Sequence, residues 1–459
     1  MRKLVCTPGS RVHCKINTKI INKKDDDMNN NYQLFGPTEP LSILTQSRKD
    51  LRVLDLFAGA GGMGLGFLMG GNQEHAFQII NVAEINPIYV RTLEKNYNYF
   101  FTKYQKNGLK HYCPSKFNPI DLTESSGYDA LKKSIKRAGG VDVLIGGPPC
   151  QGFSQANRHS WGPDNHYNKL VDIFVDCVID FAPKVVLMEN VQGILWTPKA
   201  TQGKEKKINV VDYIDKKLKS VGYILFPTVL DAAWYGVPQH RNRVFLLGLH
   251  KSLGYTADDF GDWGPFPLPT HGPSGQYNYV TVRDAISDLP VVENGESRLT
   301  QDYHEPTKKQ LSLNTFLQHM REKAAKKQIK DHIVSKQADY VIDRYQQIPQ
   351  GGNWKDIQKL MTNYSDISRT HSNIYRRLKW DEPSITISHY RKSMIIHPEQ
   401  HRGLSLREAS RLQSLPDWFT FCGTEDDSKI GGIGHKQQQL ANAVSFLLTV
   451  AIAKYILTL

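Results

Sequence analysis

Residues 51–67 read LRVLDLFAGAGGMGLGF: an apolar run of strand character, then a cluster of glycines that opens a second apolar stretch. A strand that turns through glycines into a helix is the opening unit of a doubly wound α/β sheet. Gly59, Gly61 and Gly64 meet the spacing G-x-G-x-x-G. Such a turn either brings backbone close to a nucleotide-like ligand or lets a helix pack tightly on a sheet. Outward from it, FQIINVAEIN, VDVLIGGPPC, PKVVLMEN and NRVFLLGL are further strand-like runs, each ending in a polar or Gly/Pro turn. PIYVRTLEKNY and NKLVDIFVDCVIDF lie between them with helical spacing. The alternation predicts a mostly parallel sheet whose ligands bind beyond the carboxyl ends of its strands.

The 459 residues allow two or three domains, and 40% hydrophobic with 22% charged residues describes a soluble globular chain. A net charge of +13 points to a polyanionic partner, nucleic acid first, although a basic surface kept for solubility has the same composition. The six cysteines, at 6, 14, 113, 150, 177 and 422, form no CxxC pair, so neither a zinc site nor a disulfide framework is suggested. No apolar signal segment opens the chain. The tail SFLLTVAIAKYILTL is short for a membrane span and contains Lys454. Ala441, Val444, Leu448, Ala451, Ile452 and Tyr455 follow helical spacing and predict one C-terminal helix on a core. An intracellular protein is expected.

Residues 1–50 are polar and without period, an extension. From 251 to 402 the strand–helix alternation stops. GDWGPFPLPTHGPSGQYNY is rich in Pro, Gly and aromatics, and HMREKAAKKQIKDHIVSK predicts a basic helix. Residues 301–402 hold 18 Lys and Arg against 11 Asp and Glu, interleaved with Tyr340, Tyr345, Trp354, Tyr364, Tyr375 and Trp380. This reads as a separate basic module, and equally as a solvated charged insert.

Two features carry chemistry. In GGPPCQGFSQANR, residues 146–158, Pro148 and Pro149 stiffen the approach to Cys150. A loop thiol so held is a positioned nucleophile or a small apolar filler. Glu84, 20 residues past Gly64 at the end of the next strand, suits a ribose diol, and Asp121 suits an adenine amino group. Both indicate an adenosine-containing cofactor, with a nicotinamide dinucleotide and S-adenosylmethionine still open.

Taken in order, DLFAGAGGMGLGF, GGPPCQGFSQANR, MENVQG, QHRNRVFLLG and LREASRLQSLPDWF resemble the motifs of the DNA cytosine-5 methyltransferases, over about nine-tenths of the chain. The resemblance implies a Rossmann-like, S-adenosylmethionine-dependent catalytic domain and a smaller irregular target-recognition domain. It divides the chain into a catalytic part at 51–250, target recognition at 251–402, a returning motif at 403–434, and a C-terminal helix at 435–459 that completes the catalytic domain. By resemblance Cys150 is the nucleophile that adds to C6 of cytosine and makes C5 enamine-like. A free thiol is only a few per cent ionised at neutral pH, so neighbouring cations would aid it. Glu189 is implied at N3 and the exocyclic amine, with a pKa raised by burial. Arg241 and Arg243, alternating in QHRNR, face one side at strand spacing and are implied near the base, its phosphate and the thiol.

The cofactor set expected from this resemblance is Phe57, Gly59, Gly61, Gly62, Glu84, Ile85, Asp121, Leu122, Pro149, Leu170 and Asn442. The last family motif departs from pattern here: Ala441 stands where glycine is usual, and the prolines expected after Val444 are missing. The loop after Cys150, with Gln151 and Ser154 as DNA contacts, resembles the lid that closes over a flipped base. The implied cofactor is S-adenosylmethionine, leaving as S-adenosylhomocysteine, with no metal. The implied partner is duplex DNA, acted on by a monomer in the bacterial cytoplasm, paired with a restriction endonuclease and without a membrane. A tRNA cytosine-5 methyltransferase shares Pro-Pro-Cys, though the large insert argues against it. An idle DNA-binding regulator conflicts with the intact Cys150, Glu189, Arg241 and Arg243. An amino-methyltransferase conflicts with a Cys after Pro-Pro.

Overall fold

The computed structural model describes residues 49–71, 75–104, 116–149, 166–195, 209–362, 374–388, 390, 394–424 and 432–459. Six strands, β1 (Lys49–Leu56), β2 (His75–Ala83), β3 (Val143–Gly146), β4 (Val185–Asn190), β5 (Tyr223–Asp231) and β6 (Asn242–His250), form one sheet in the order β2-β1-β3-β4-β6-β5. β2, β1, β3 and β4 pair in parallel, while β6 runs antiparallel to both neighbours. The doubly wound, mostly parallel sheet read from the sequence is therefore present. The inner strands are mostly apolar because helices cover both faces: Val53, Leu54, Leu56, Leu144, Ile145, Val186 and Leu187 are all buried, with Asp55 buried among them.

On one face α3 (Ser125–Ala138), α4 (His166–Phe181) and α5 (Val210–Ser220) pack Leu131, Ile135, Val171, Phe174, Val178, Ile214 and Leu218 against Leu54, Leu144, Val186 and Leu246. On the other lie α1 (Gly62–Met69) and α2 (Pro87–Tyr104), beside the side chain of Asp55. Every residue of α1 is buried. A Cβ on Gly64 would run into the Tyr97 hydroxyl and come within 2.7 Å of Asp55 Oδ2, and one on Gly66 would sit 2.6 Å from Thr449 Cβ. These glycines let α1 wedge between the sheet and a C-terminal helix, the packing reading of a glycine-rich turn.

The C-terminal stretch is two helices, α8 (Ile433–Asn442) and α9 (Phe446–Ile456), not the single one its spacing predicts. Ala443 is extended, with φ −63° and ψ 139°, and breaks the helical run at the Asn-Ala-Val turn. Within Ile433–Ile456, 83% of its most apolar 18-residue window is buried in the fold.

Beyond His250 no described residue joins the six-stranded sheet. A two-stranded ladder joins β7 (Thr300–Asp302) to β8 (Gln328–Lys330). The basic helix predicted over residues 319–336 is absent. A helix, Thr315–Arg321, stops there, Lys323, Lys327 and Asp331 take positive φ, and Gln328–Lys330 pairs as a strand. Burial of Ile329, Ile333 and Val334 overrides the helical propensity of the lysines and alanines. A separate core gathers Val341 and Tyr345 of α6 (Asp339–Gln346) with Trp354, Ile357, Tyr375 and Ile396. The segment LREASRLQSLPDWF forms α7 (Leu406–Leu412) and its exit. Ser405 and Glu408 close a capping box, and Arg407, Glu408 and Arg411 are buried.

Candidate active site

The carboxyl ends of β1, β2, β3 and β4 open on a cavity of about 1360 Å³. Because β6 is reversed, its amino end lies at the same edge, which is why QHRNR stands at the start of its strand while the other motifs stand at the ends of theirs. Single-ligand pockets run to about 300–1,000 Å³, so this one has room for more than one guest.

Glu189, next to last in β4, and Arg243, second in β6, lie on one face of the antiparallel pair, in which Glu189 is registered opposite Phe245. Arg243 Nε stands 3.1 Å from Glu189 Oε1, with the two side chains 15% and 13% exposed. Burial raises the pKa of Glu189, and Arg243 and Arg241 act against that rise. Arg243 is in turn lowered by burial and supported by Glu189. Asn190 Nδ2 donates to Pro148 O at 3.0 Å, fixing the turn that leads to position 150. Gly147 lies beside the same carboxylate: a Cβ there would be 3.4 Å from Glu189 Oε2. Cys150, Gln151 and Ser154 lie outside the described residues.

Arg241 is buried and uses its guanidinium differently. Nη1 donates to Ile387 O at 2.9 Å, and Nη2 donates to Ala441 O at 2.9 Å and Ala443 O at 3.2 Å. Its backbone N–H reaches Asp231 Oδ1 at 2.9 Å, while Asp231 Oδ2 pairs with His240 Nδ1 at 2.7 Å and raises the pKa of that imidazole.

On the other side of the cavity, Glu84 closes the glycine turn. Its Oε2 accepts from Gly59 N at 2.9 Å and its Oε1 from Asn86 N at 2.8 Å, and burial raises its pKa. Asp121 Oδ1 accepts from Thr123 N at 2.8 Å and Thr123 Oγ1 at 2.6 Å. Phe57 takes φ 54°, a left-handed conformation unusual for an aromatic residue, directly after β1. Ile85, a large apolar side chain, is 59% exposed and lines the cavity. Gly59, Gly62, Leu122, Pro149, Leu170 and Asn442 complete the lining, together with Phe57, Glu84, Ile85 and Asp121. Gly61 is outside it: with φ 82° it caps α1, and a Cβ there would be 2.9 Å from Leu93 Cγ.

The structure adds residues that the sequence reading did not single out. Asp55, 1% exposed near the end of β1, has no hydrogen bond to either carboxylate oxygen among the described residues. Burial pushes it up to about 8, with the neighbouring Gly64 amide acting against the rise and Glu84 adding to it. An acid inside an apolar run was its signal. Asn190 was quoted within MENVQG but given no role. Tyr89 lines the cavity and its hydroxyl is bonded by Asn442. Ser388, Tyr390 and Gln437 arrive from distant segments, and no local pattern announces them. No described cluster of three His, Cys, Asp or Glu is arranged to hold a metal.

The family model for the C-5 cytosine-specific DNA methylases matches residues 51–458. The chain is 31% identical over 413 residues to the type II methyltransferase M.DdeI of Desulfomicrobium norvegicum, covering 88% of each chain. It is also 31% identical over 408 residues to the type II methyltransferase M1.HphI of Haemophilus parahaemolyticus, covering 89% of this chain and 87% of that one. Among solved structures, a prophage-encoded protein of E. coli assigned as a DNA modification methyltransferase superposes with a TM-score of 0.63 at 24% identity, over 89% of this chain and 99% of that one. That likeness concerns the fold, and the sequence match over residues 51–458 settles the rest: the chain belongs to the C-5 cytosine-specific DNA methylase family and is a DNA cytosine-5 methyltransferase.

Proposed function

We propose that the protein transfers the methyl group of S-adenosylmethionine to C5 of a cytosine turned out of duplex DNA, through a covalent bond between Cys150 and C6. The observation that carries this reading is the pairing of Glu189 with Arg243 at 3.1 Å, in a cavity also lined by Pro148 and Pro149, the two residues that precede Cys150 in sequence.

The residues around the cavity fit the cofactor. Asp55, an orphaned buried acid, matches an α-ammonium; Glu84 matches a ribose diol; Asp121 and the exposed Ile85 match an adenine. When bound, S-adenosylmethionine supplies an electrophilic methyl group. The chain's own groups do the rest. The Cys150 thiolate adds to C6, and the electron pair of the C5–C6 bond becomes available at C5. Glu189 holds a proton at N3, a task suited to a carboxyl whose pKa burial has raised. Arg243 holds the exocyclic carbonyl oxygen on C2 of the base and keeps Glu189 aligned. After C5 accepts the methyl group, its proton leaves to solvent, the C6–sulfur bond breaks to restore the aromatic ring and the thiolate, and N3 returns its proton to Glu189.

Residues 251–402, with their separate hydrophobic cluster and the 18 Lys and Arg against 11 Asp and Glu of their 301–402 part, are assigned to DNA recognition. Residues 403–434 return the chain, and 435–459 complete the catalytic domain through α9 against α1. M.DdeI and M1.HphI bear the name type II methyltransferase, which supports a host-protecting role beside a restriction endonuclease in the bacterial cytoplasm. Purified protein with tritiated S-adenosylmethionine tests the substrate. Label entering duplex DNA but not tRNA supports the reading, and label entering tRNA alone overturns it.

A further inference from the structure

Arg241 shares a strand face with Arg243 but not its company. Its side chain is fully buried and forms no ion pair among the described residues; three backbone carbonyls take its Nη donors instead, while Nε, on a residue that also lines the cavity, has no hydrogen-bond partner among the described residues. Two of them, Ala441 O and Ala443 O, stand at the end of α8, where a helix leaves its last carbonyls without intrahelical donors. Helices often close such an end on a left-handed glycine. Here the cap residue is an extended alanine whose N–H donates to Leu440 O at 3.1 Å, and side chains add to it: Gln413 Nε2 donates to the same oxygen at 2.9 Å and Arg241 takes Ala441 O and Ala443 O. A cation is favoured at that end by the helix dipole. The turn so closed carries Asn442 into the cavity, and Val444 O faces the start of α1, 3.4 Å from where a Cβ on Gly62 would be.

The third carbonyl belongs to a different segment. Ile387 precedes Ser388, which lines the cavity, and its N–H is taken by Gln239 Oε1 at 2.8 Å. Gln239 Nε2 donates to Leu412 O at the end of α7, at 2.9 Å. His240 N and Ser384 N add backbone bonds to Ser384 O and Pro238 O. Gln239, Arg241 and Arg243 therefore divide one motif: the first two hold other segments in place, and only the third touches Glu189.

We infer that Arg241 is a positioning residue: it locks the Asn442–Val444 turn for cofactor binding and ties that turn to residues 384–388, without contacting the base. This rests on the S-adenosylmethionine reading above.

The test is titration calorimetry of the full-length protein with S-adenosylhomocysteine in the absence of DNA, with thermal unfolding as the check of fold. Arg241→Met is expected to weaken binding at least about tenfold, with Arg241→Lys in between because one ammonium cannot reach all three carbonyls. Asn442→Ala is expected to weaken it comparably, and the double variant Arg241→Met, Asn442→Ala no further than the weaker single one. Arg243→Lys is expected to leave this DNA-free affinity within about twofold. If both Arg241 variants bind as tightly as the parent while kcat collapses, Arg241 acts at the base and the inference is overturned. Additive losses in the double variant overturn the route through the turn. Should Arg241→Met not fold, Arg241→Lys alone decides by the same comparison. A parent protein that does not bind S-adenosylhomocysteine overturns the cofactor reading instead.

Discussion

Asn190 Nδ2 holds the carbonyl oxygen of Pro148 at 3.0 Å, so the residue that follows Glu189 fixes the turn that precedes Cys150. Under the proposed mechanism two adjacent side chains at the end of β4 serve the same reaction, Glu189 from the cavity and Asn190 through its hold on the Pro148 carbonyl. The stiffness of Pro-Pro gives such an anchor something rigid to hold.

Asn190→Ala should therefore slow methyl transfer while leaving the fold intact. Misplacing a reacting group by about 1 Å costs on the order of 10²-fold in rate. The expected loss is of that size in kcat, with cofactor affinity and thermal unfolding little changed. Single-turnover transfer on a methylatable duplex, beside a melting curve, reads both.

Asp55 makes cofactor binding pH-linked. Its carboxyl is pushed up to about 8, against an ordinary value of about 3.9, so it carries a proton at pH 7 in the free protein. An ammonium beside it favours the carboxylate. Binding of S-adenosylhomocysteine at pH 7 is expected to release close to one proton, seen as a heat that varies with the buffer's ionisation enthalpy, and Asp55→Asn is expected to abolish that dependence. The same shift acts on stability. The folded carboxyl binds its proton more tightly than the unfolded one, so this group's contribution declines as pH rises from about 4 to about 8. Asp55→Asn should remove that decline.

A third expectation concerns the buried charges behind the site. Arg402 Nη1 and Nη2 bond Glu408 at 2.8 and 2.7 Å, with both side chains buried. Burial alone would raise Glu408, but Arg402, His397 and His332 more than offset it and hold the carboxyl well below its usual range. Glu408→Ala leaves Arg402 buried without its partner and is expected to cost about 3–5 kcal/mol in urea unfolding at pH 7. Because the folded pKa is depressed, the stabilisation is full above the ordinary value of about 4.3 and is lost as pH falls through the folded one. The gap between parent and variant should therefore narrow in acid.

The chain made its parallel core legible because buried strands are written as unbroken apolar runs: β1, β3 and β4 could be read directly from LRVLDLF, VDVLIGG and VVLMEN. β5 escaped, since Pro227 interrupts YILFPTVLD, and a proline is tolerated there only because β5 is a sheet edge where that residue is exposed. The reversal of β6 was equally silent, being decided by pairing with β4 rather than by anything within NRVFLLGL. In the insert, lysine and alanine suggested a helix where tertiary burial of Ile329 and Val334 imposed a strand and an irregular chain. At the site, Glu84, Glu189 and Arg243 were readable because each stands at a strand end. Tyr390 and Ser388 were not, because only the folded insert brings them there.

The central claim is that Cys150 drives methylation of cytosine in duplex DNA, and bisulfite sequencing tests it most directly. Parent protein and Cys150→Ala are expressed in a host that lacks cytosine methylation and methyl-directed restriction, and the DNA of each is converted and read. The account predicts protected cytosines within one short recurring sequence for the parent and none for Cys150→Ala. Conversion of every cytosine in both, or equal protection in both, would contradict it.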